Sequence, residues 1–356
     1  MKVTLQQVAK VADVSIGTAS RVLRGDPTVT EDLSQRVIRC AQRLGYQRLR
    51  RERGATSEHP LRGKTIGVML LGMGPSLATS PLVGMALDGI RRSLNGEEAL
   101  LQILDIPDPA KPPATLARTR ADAWLVKGSN VGDVWKACHP SITDRLRKRP
   151  TVWFHGKPET AAGDCVGVDD IAVGRLAADT LTNAGHRAVA FVTTRRNQRL
   201  LARREQGFKA RCVELGVSCR IAAAEVDEHS WPLEKPRDEN AVAALLDRLL
   251  KWKNPVTAVF VPADSLAVLL YQALSKRGLV AGRDLGVISA NGEWPLVVGL
   301  NPRLSTIDIG SERIGIEAVL QLARRFASFS SEVPANIGLT PRLLPGDSLG
   351  ENPSFP

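Results

Sequence analysis

The run Thr4-Leu5-Gln6-Gln7-Val8-Ala9-Lys10-Val11-Ala12-Asp13-Val14-Ser15-Ile16-Gly17-Thr18-Ala19-Ser20-Arg21-Val22-Leu23 decides how this chain is read. Thr4 with Gln7 three residues on makes a capping box, so a helix starts at Leu5. Leu5, Val8, Ala9 and Ala12 then return at helical spacing on one face. Asp13 is one of the few residue types that tolerates a left-handed turn, and Ser15 can cap a second helix. That helix spans roughly Ile16 to Leu23, with Ala19, Val22 and Leu23 for a core and Ser15, Gly17, Thr18, Ser20 and Arg21 on its other face. Gly25-Asp26-Pro27 stops it. Thr30 caps a third helix, with Val37, Ile38, Ala41 and Leu44 as its apolar stripe and Gly45 at its end. A tight turn between two short helices is the geometry that lays the second in a DNA major groove. Small residues there permit close approach, hydroxyls reach phosphates, and an arginine bridges to guanine or phosphate. A generic three-helix bundle has the same periodicity, so the pattern alone leaves both open.

Charge separates them in part. The 356 residues carry a formal net charge of +11, and residues 1–64 hold 13 Lys/Arg against 6 Asp/Glu. The N-terminal fifth is thus +7 and the rest only +4, which makes a polyanion such as DNA the natural partner of the head. A length of 356 suits two or three domains, and 43% hydrophobic residues exclude a disordered chain. Five cysteines (Cys40, Cys138, Cys165, Cys212, Cys219) form no CxxC and no metal-ligand spacing, so reduced thiols and no metal are expected. No apolar run approaches the ~20 residues of a membrane span. The N-terminus lacks the apolar stretch of a signal peptide, so a cytoplasmic protein is expected.

The quoted run, with Val29-Thr30, Arg36-Val37 and Leu44-Gly45-Tyr46 behind it, resembles the LacI–GalR family of transcriptional repressors. The resemblance implies that Ile16, Gly17 and Arg21 contact bases and that Thr4, Ser15 and Ser20 contact phosphates, with Thr18 on the same face. It is broken after Tyr46. Family members follow with a proline and a short hinge helix that wedges a leucine into the minor groove. Here Gln47-Arg48-Leu49-Arg50-Arg51-Glu52-Arg53-Gly54-Ala55 follows, with Ala55 at the leucine position. The arginine cluster either binds phosphates or a narrow minor groove, with Leu49 as substitute wedge, or is a solvated linker.

From Lys64 onward strand-like and helical runs alternate, as parallel sheets covered on both faces require. Strands are expected at Thr65–Leu71, Leu100–Ile106, Ala123–Lys127, Thr151–His155, Ala188–Thr193, Ala258–Pro262 and Leu285–Ser289. Helices are expected over Pro81–Leu94, Ala172–Ala184, Arg203–Leu215 and Leu266–Arg277. Val168-Asp169-Asp170, Gly185-His186-Arg187, Arg204-Glu205-Gln206-Gly207-Phe208, Ala263-Asp264-Ser265 and Leu304-Ser305-Thr306-Ile307 extend the resemblance to the effector domain of the same family. The fold class that follows is an all-α helix-turn-helix head plus an α/β two-lobed periplasmic-binding-protein-like domain. The expected divisions are 1–47 for the head, 48–63 for the arginine-rich hinge, 64–349 for the effector and dimerisation domain, and 350–356 for a polar tail. That tail has no heptad repeat, so a homodimer rather than a coiled-coil tetramer is expected. The resemblance places residues roughly 64–160 and 290–325 in one lobe and 161–289 with the C-terminal strand in the other, joined by three crossovers.

In the cleft, the resemblance gives Arg204 a ligand's hydroxyls or carbonyls to bond and Asp264 its hydroxyls to accept from. Trp231 is a stacking aromatic or ordinary core, and Arg204 and Asp264 can instead pair with each other. Asp169 and Asp170 are more naturally helix caps. The family's Gly-Phe/Tyr-Asp-Asp corner reads Ser289-Ala290-Asn291-Gly292 here, without the aromatic and with at least one acid gone. Asn291 and His155 are the remaining polar candidates, so the effector, a sugar or sugar derivative by resemblance, meets fewer anchors. No catalytic residue or cofactor is expected. Gly72-x-Gly74 lacks the third glycine of a dinucleotide loop, and no GxSxG, P-loop or zinc motif occurs. The rival readings are a Rossmann-like enzyme, a solute-binding protein, and a DNA-binding regulator with a degenerate, ligand-insensitive effector domain. The favoured one is a regulator, a repressor by resemblance, that binds double-stranded operator DNA and a small-molecule effector.

Overall fold

The computed structural model describes residues 4–24, 29–44, 59–74, 80–196, 198–224, 231–233, 238–327 and 333–350. The chain divides into two compact units, Met1–Ser57 and Glu58–Pro356. In the first, α1 (Leu5–Val11), α2 (Ile16–Arg24) and α3 (Glu31–Arg43) enclose Val8, Ala9, Ala12, Ala19, Val22, Val37 and Ala41. Both halves of the capping box form at Thr4 and Gln7. Asp13 turns the chain at φ +52°, and the Thr18 N–H donates to Ser15 Oγ at 3.0 Å to cap α2. One core residue differs: Ile38 is 41% exposed, because Val37 and Ala41 already fill the seam against α1 and α2. The arginine-rich segment with Leu49 and Ala55, and the side chain of Leu23, lie outside the described residues.

The larger unit is two six-stranded sheets. Its first lobe begins with β1 (Thr65–Leu71), α4 (Pro81–Leu94), β2 (Leu100–Ile106), α5 (Thr115–Arg118), β3 (Ala123–Gly128), α6 (Val134–Ala137), α7 (Pro140–Arg147), β4 (Thr151–Phe154) and β5 (Asp164–Val168). The second lobe holds α8 (Asp170–Asn183), β6 (Ala188–Thr193), α9 (Arg199–Glu214), β7 (Ser218–Ala223) and α10 (Asp238–Leu250), then β8 (Ala258–Val261), α11 (Asp264–Ser275), β9 (Gly286–Asn291), α12 (Trp294–Val297) and β10 (Ser305–Asp308). The chain then returns through α13 (Ser311–Ala327) and β11 (Asn336–Leu339) to the first lobe and ends with β12 (Arg342–Leu344) in the second.

Strand order is β11-β5-β4-β3-β1-β2 in the first sheet and β12-β10-β9-β8-β6-β7 in the second, parallel throughout except for the β10–β12 pair. Parallel strands are covered on both faces and so are apolar without alternation. In β1, Ile66, Val68 and Leu70 face Ile314, Ala318 and Leu322 of α13, while Met69 and Leu71 face Ile142 and Leu146 of α7. The three crossovers fall near residues 169, 309 and 340, because β5 pairs with β4 and β10 pairs with β9. The first-lobe segments therefore run further than the resemblance implies, to Val168, and the return segment starts after Asp308 rather than near 290.

Reciprocal glycines set one helix pair in each lobe. A Cβ on Gly89 of α4 would lie 2.0 Å from the Glu312 carbonyl oxygen, and one on Gly315 of α13 would lie 2.1 Å from that of Ala86. In the second lobe a Cβ on Gly174 of α8 would lie 2.1 Å from the Arg204 carbonyl oxygen, and one on Gly207 of α9 would lie 2.2 Å from that of Ile171. This second approach seats Arg204 against the first turn of α8, which matters below.

Candidate functional site

The outward face of α2 is built by what its inward face must bury. With Ala19 and Val22 in the core, Ile16, Gly17 and Arg21 are left exposed and Thr18 and Ser20 half-buried. Ile16 is 49% exposed although it is aliphatic, at the start of the helix where base edges are contacted in helix-turn-helix proteins. The hydroxyls of Thr4 and Ser15 are engaged in the caps of α1 and α2, and Ser15 Oγ also lies 2.9 Å from Thr18 Oγ1. Each hydroxyl oxygen keeps a second lone pair or a proton for a further bond.

In the larger unit, residues at or just past the C-terminal ends of strands meet across the two lobes, as where the Arg199 N–H donates to the Asn130 carbonyl and Trp231 covers Gly72, and such strand ends are where ligands bind open α/β sheets. Arg204 of α9 is 2% exposed; its Nε donates to Asp170 Oδ1 at 2.8 Å and its Nη1 to Asn291 Oδ1 at 2.8 Å and the Pro262 carbonyl at 2.5 Å. Asp264, fully buried at the start of α11, accepts from the hydroxyls of Ser289 and Thr306 and from the Glu293 N–H. Arg204 therefore pairs with Asp170 rather than with Asp264. Asp169, not Asp170, caps α8, accepting from the N–H groups of Ile171 and Ala172. Burial pushes the Asp170 and Asp264 carboxyls up, and Arg204 pulls both down.

Asn291 ends β9 at φ +123° and donates to Glu293 Oε2 at 2.9 Å. Glu293 is one of two residues that the sequence reading does not single out. It places a carboxyl at the corner from which at least one acid is gone, one residue beyond Ser289-Ala290-Asn291-Gly292. The Leu82 N–H at the start of α4 donates to it, and burial followed by the charge of Asp264 raises it to about 7. Trp231 lies over Gly72 at the end of β1, where a Cβ would come 2.3 Å from its ring, and it packs on the first lobe's core. It thus joins the lobes, as both of its sequence readings allow.

A second group, on the first-lobe side, is Lys127 at the end of β3 and His155 just past β4, each 5% exposed, with Asn130 and Arg199 beside them. Lys127, the other such residue, stands out in Ala-Trp-Leu-Val-Lys-Gly as a charge in an otherwise apolar strand. Its Nζ donates to the Gly128 carbonyl at 2.5 Å. Burial, then the charge of Arg199, lowers it to about 7, while burial, Lys127 and Arg204 hold His155 down to about 3, a neutral imidazole. His155 sits at φ +55°, a conformation that costs on the order of 1–3 kcal/mol and gathers at functional sites. The Arg199 N–H donates to the Asn130 carbonyl at 3.1 Å, tying the start of α9 to the first lobe.

The Lys127 shift has a consequence for stability. Below pH ~7 the folded chain buries an ammonium that the unfolded chain solvates. Between about 7, its folded value, and 10.5, its ordinary one, the unfolded state binds more protons, so this group makes stability rise with pH. Denaturant midpoints of the wild type should therefore climb relative to those of Lys127→Met between pH 6.5 and 9.5. Parallel curves would show that Lys127 is solvated in the fold.

Comparison with known proteins closes the assignment. Residues 4–48 match the profile of bacterial regulatory proteins of the lacI family, and residues 178–349 that of the periplasmic binding protein-like domain. The chain belongs to the LacI family. Like other LacI-family members, it is a DNA-binding transcriptional regulator. It is 25% identical to the ribose operon repressor of Haemophilus influenzae over 90% of this chain and 91% of that one. It is 24% identical to the HTH-type transcriptional repressor MelR of Bacillus subtilis over 98% of each. Among solved structures, a complex of the transcriptional regulator CelR with cellobiose aligns with TM-score 0.63 at 20% identity, covering 98% of this chain and all of that one. A LacI-family regulator of Enterococcus faecium with bound ribose aligns with TM-score 0.63 at 21% identity, over 81% of this chain and 99% of that one. At these identities the two structures speak to the fold. Among the described residues no helix is long and apolar enough to cross a membrane, and no group of three or more His, Cys, Asp or Glu could hold a metal.

Proposed function

We propose that this LacI-family chain is a cytoplasmic, homodimeric repressor and not an enzyme, which reads a palindromic operator and is switched by a sugar-like effector. Reading would fall to Ile16, Gly17 and Arg21 at bases and to Thr4, Ser15, Thr18 and Ser20 at the backbone. The effector would lie among Arg204, Asp264, Trp231 and Asn291. Two-fold protein symmetry matches a two-fold operator, one head per half-site. An effector acts by favouring one relative orientation of the lobes over another.

The observation that carries the effector reading is Arg204. Its Nε and Nη1 are spent on protein, yet among the described residues its Nη2 carries no bond, and it is held in place by Asp170 and by the close approach of α9 to Gly174. The ribose and cellobiose bound in two structural relatives, and the ribose repressor among the sequence relatives, support a sugar-like ligand. Asp264 favours the second reading, a ligand-insensitive domain, because Ser289, Thr306 and Glu293 already occupy it. The test is selection of operator DNA by the full chain, followed by anisotropy titration with five- and six-carbon sugars and their derivatives. A tenfold change in operator affinity is the expected result. Specific DNA binding that no compound alters would establish the ligand-insensitive reading instead.

A further inference from the structure

A buried ammonium with no carboxylate beside it is costly, and a fold retains one where something else completes it. Among the described residues Lys127 has one side-chain hydrogen bond, to the carbonyl of the next residue. Around it stand three more unspent groups: among the described residues His155 Nε2, Arg199 Nε and Asn130 Oδ1 are all buried without a hydrogen-bond partner. They converge from three directions, at the ends of β3 and β4 and at the N-terminus of α9, whose dipole adds positive potential. Gly156 sits among them, since a Cβ there would come 3.1 Å from Leu200 of α9 and 3.5 Å from Asn130 Oδ1. The charges of Arg199 and Lys127 reach each other, and those of Lys127 and Arg204 reach His155.

Among the described residues, the acids nearby do not balance this. Asp170 is bound to Arg204, while Asp133 caps α6 and pairs with Lys136. Asp133 and Glu159 act on Arg199 only at a distance. Cys165 of β5 also faces the group, and its thiol is pushed up to about 11 by burial, so it brings no negative charge.

We infer that the effector of this chain carries an anionic group, a carboxylate or a phosphate, which sits on Lys127, Arg199 and His155 while its hydroxyl-bearing part reaches Arg204 and Asn291. The inference rests on the effector reading above and narrows it from sugars to sugar acids and sugar phosphates. Two cations, a neutral imidazole with an N–H to give, and an amide oxygen for a neighbouring hydroxyl make up such a site. Asn130 and Arg199, already joined through the backbone, would draw the two lobes onto the ligand from both sides.

The test is thermal shift and calorimetry on the full-length protein with matched probes: glucose, gluconate and glucose 6-phosphate; ribose, ribonate and ribose 5-phosphate; and inorganic phosphate, all at constant ionic strength. At least one acidic sugar should raise the melting temperature by several degrees while its neutral parent does not, and Lys127→Met should weaken its binding at least tenfold. Gluconate or ribonate responding identifies a carboxylate, and the sugar phosphates a phosphate. A response to neutral sugars that Lys127→Met leaves intact overturns the anion site and keeps the effector reading. A shift by inorganic phosphate that survives in Lys127→Met marks general ion binding and overturns it too. No shift from any probe overturns both.

Discussion

Replacing Arg204 by alanine should destabilise the larger unit by about 3–5 kcal/mol, the cost of leaving a buried partner charge uncompensated. Asp170 is 4% exposed and its only ion pair among the described residues is with Arg204 at 2.8 Å. The same substitution releases the Pro262 carbonyl and Asn291 Oδ1. Against a total stability of ~5–15 kcal/mol for a typical protein this is a large share. Denaturant titration at pH 7 measures it, with an unchanged slope as the sign that the same surface unfolds. The penalty should shrink at low pH, because burial already raises the Asp170 carboxyl and a neutral Asp170 needs no cation. Arg204→Ala/Asp170→Asn should recover much of the loss, since the stranded charge goes with the second change. A loss under 1 kcal/mol for Arg204→Ala would mean that water reaches Asp170 and that Arg204 is free for ligand alone.

That pair shows where the sequence was legible. Elements whose burial pattern is written in consecutive residues were readable: the capping box at Thr4, the left-handed turn at Asp13, and the apolar runs of β1, β6 and β8. Others hid because their residues look like breakers. Asp164-Cys165-Val166-Gly167-Val168 forms β5 despite its aspartate and glycine, since Asp164 is held by Arg325, Gln321 and the Ala335 N–H, all more than 150 positions away. Neighbours that distant leave no local trace. The site divides the same way. Arg204, Asp264 and Asn291 are candidates by position within a familiar pattern, and Asp170 reads as a cap because Asp169 and Asp170 are indistinguishable until α9 packs on α8. Glu293 becomes unusual only through what the fold buries around it, whereas Lys127 is already marked in the sequence as the charge of an otherwise apolar strand.

The reading helix gives the second large effect. Arg21 projects from α2 on the face left exposed once Ala19 and Val22 enter the core. If it donates its planar fork to guanine, Arg21→Ala should cost on the order of 1–3 kcal/mol of specific operator binding and much less on scrambled DNA. Arg21→Lys separates geometry from charge. A lysine keeps the positive point charge that phosphates feel but loses the rigid paired donors that tell one base from another. Lysine should thus restore non-specific affinity and its salt slope while leaving specific affinity low. Anisotropy titrations of selected and scrambled duplexes at two salt concentrations read both quantities. Equal losses on the two DNAs would move Arg21 from the bases to the phosphate backbone, and the burden of base reading would then fall on Ile16 and Gly17. That outcome is physically distinct, because an aliphatic side chain and a bare backbone recognise a thymine methyl by fit, and fit does not weaken with salt.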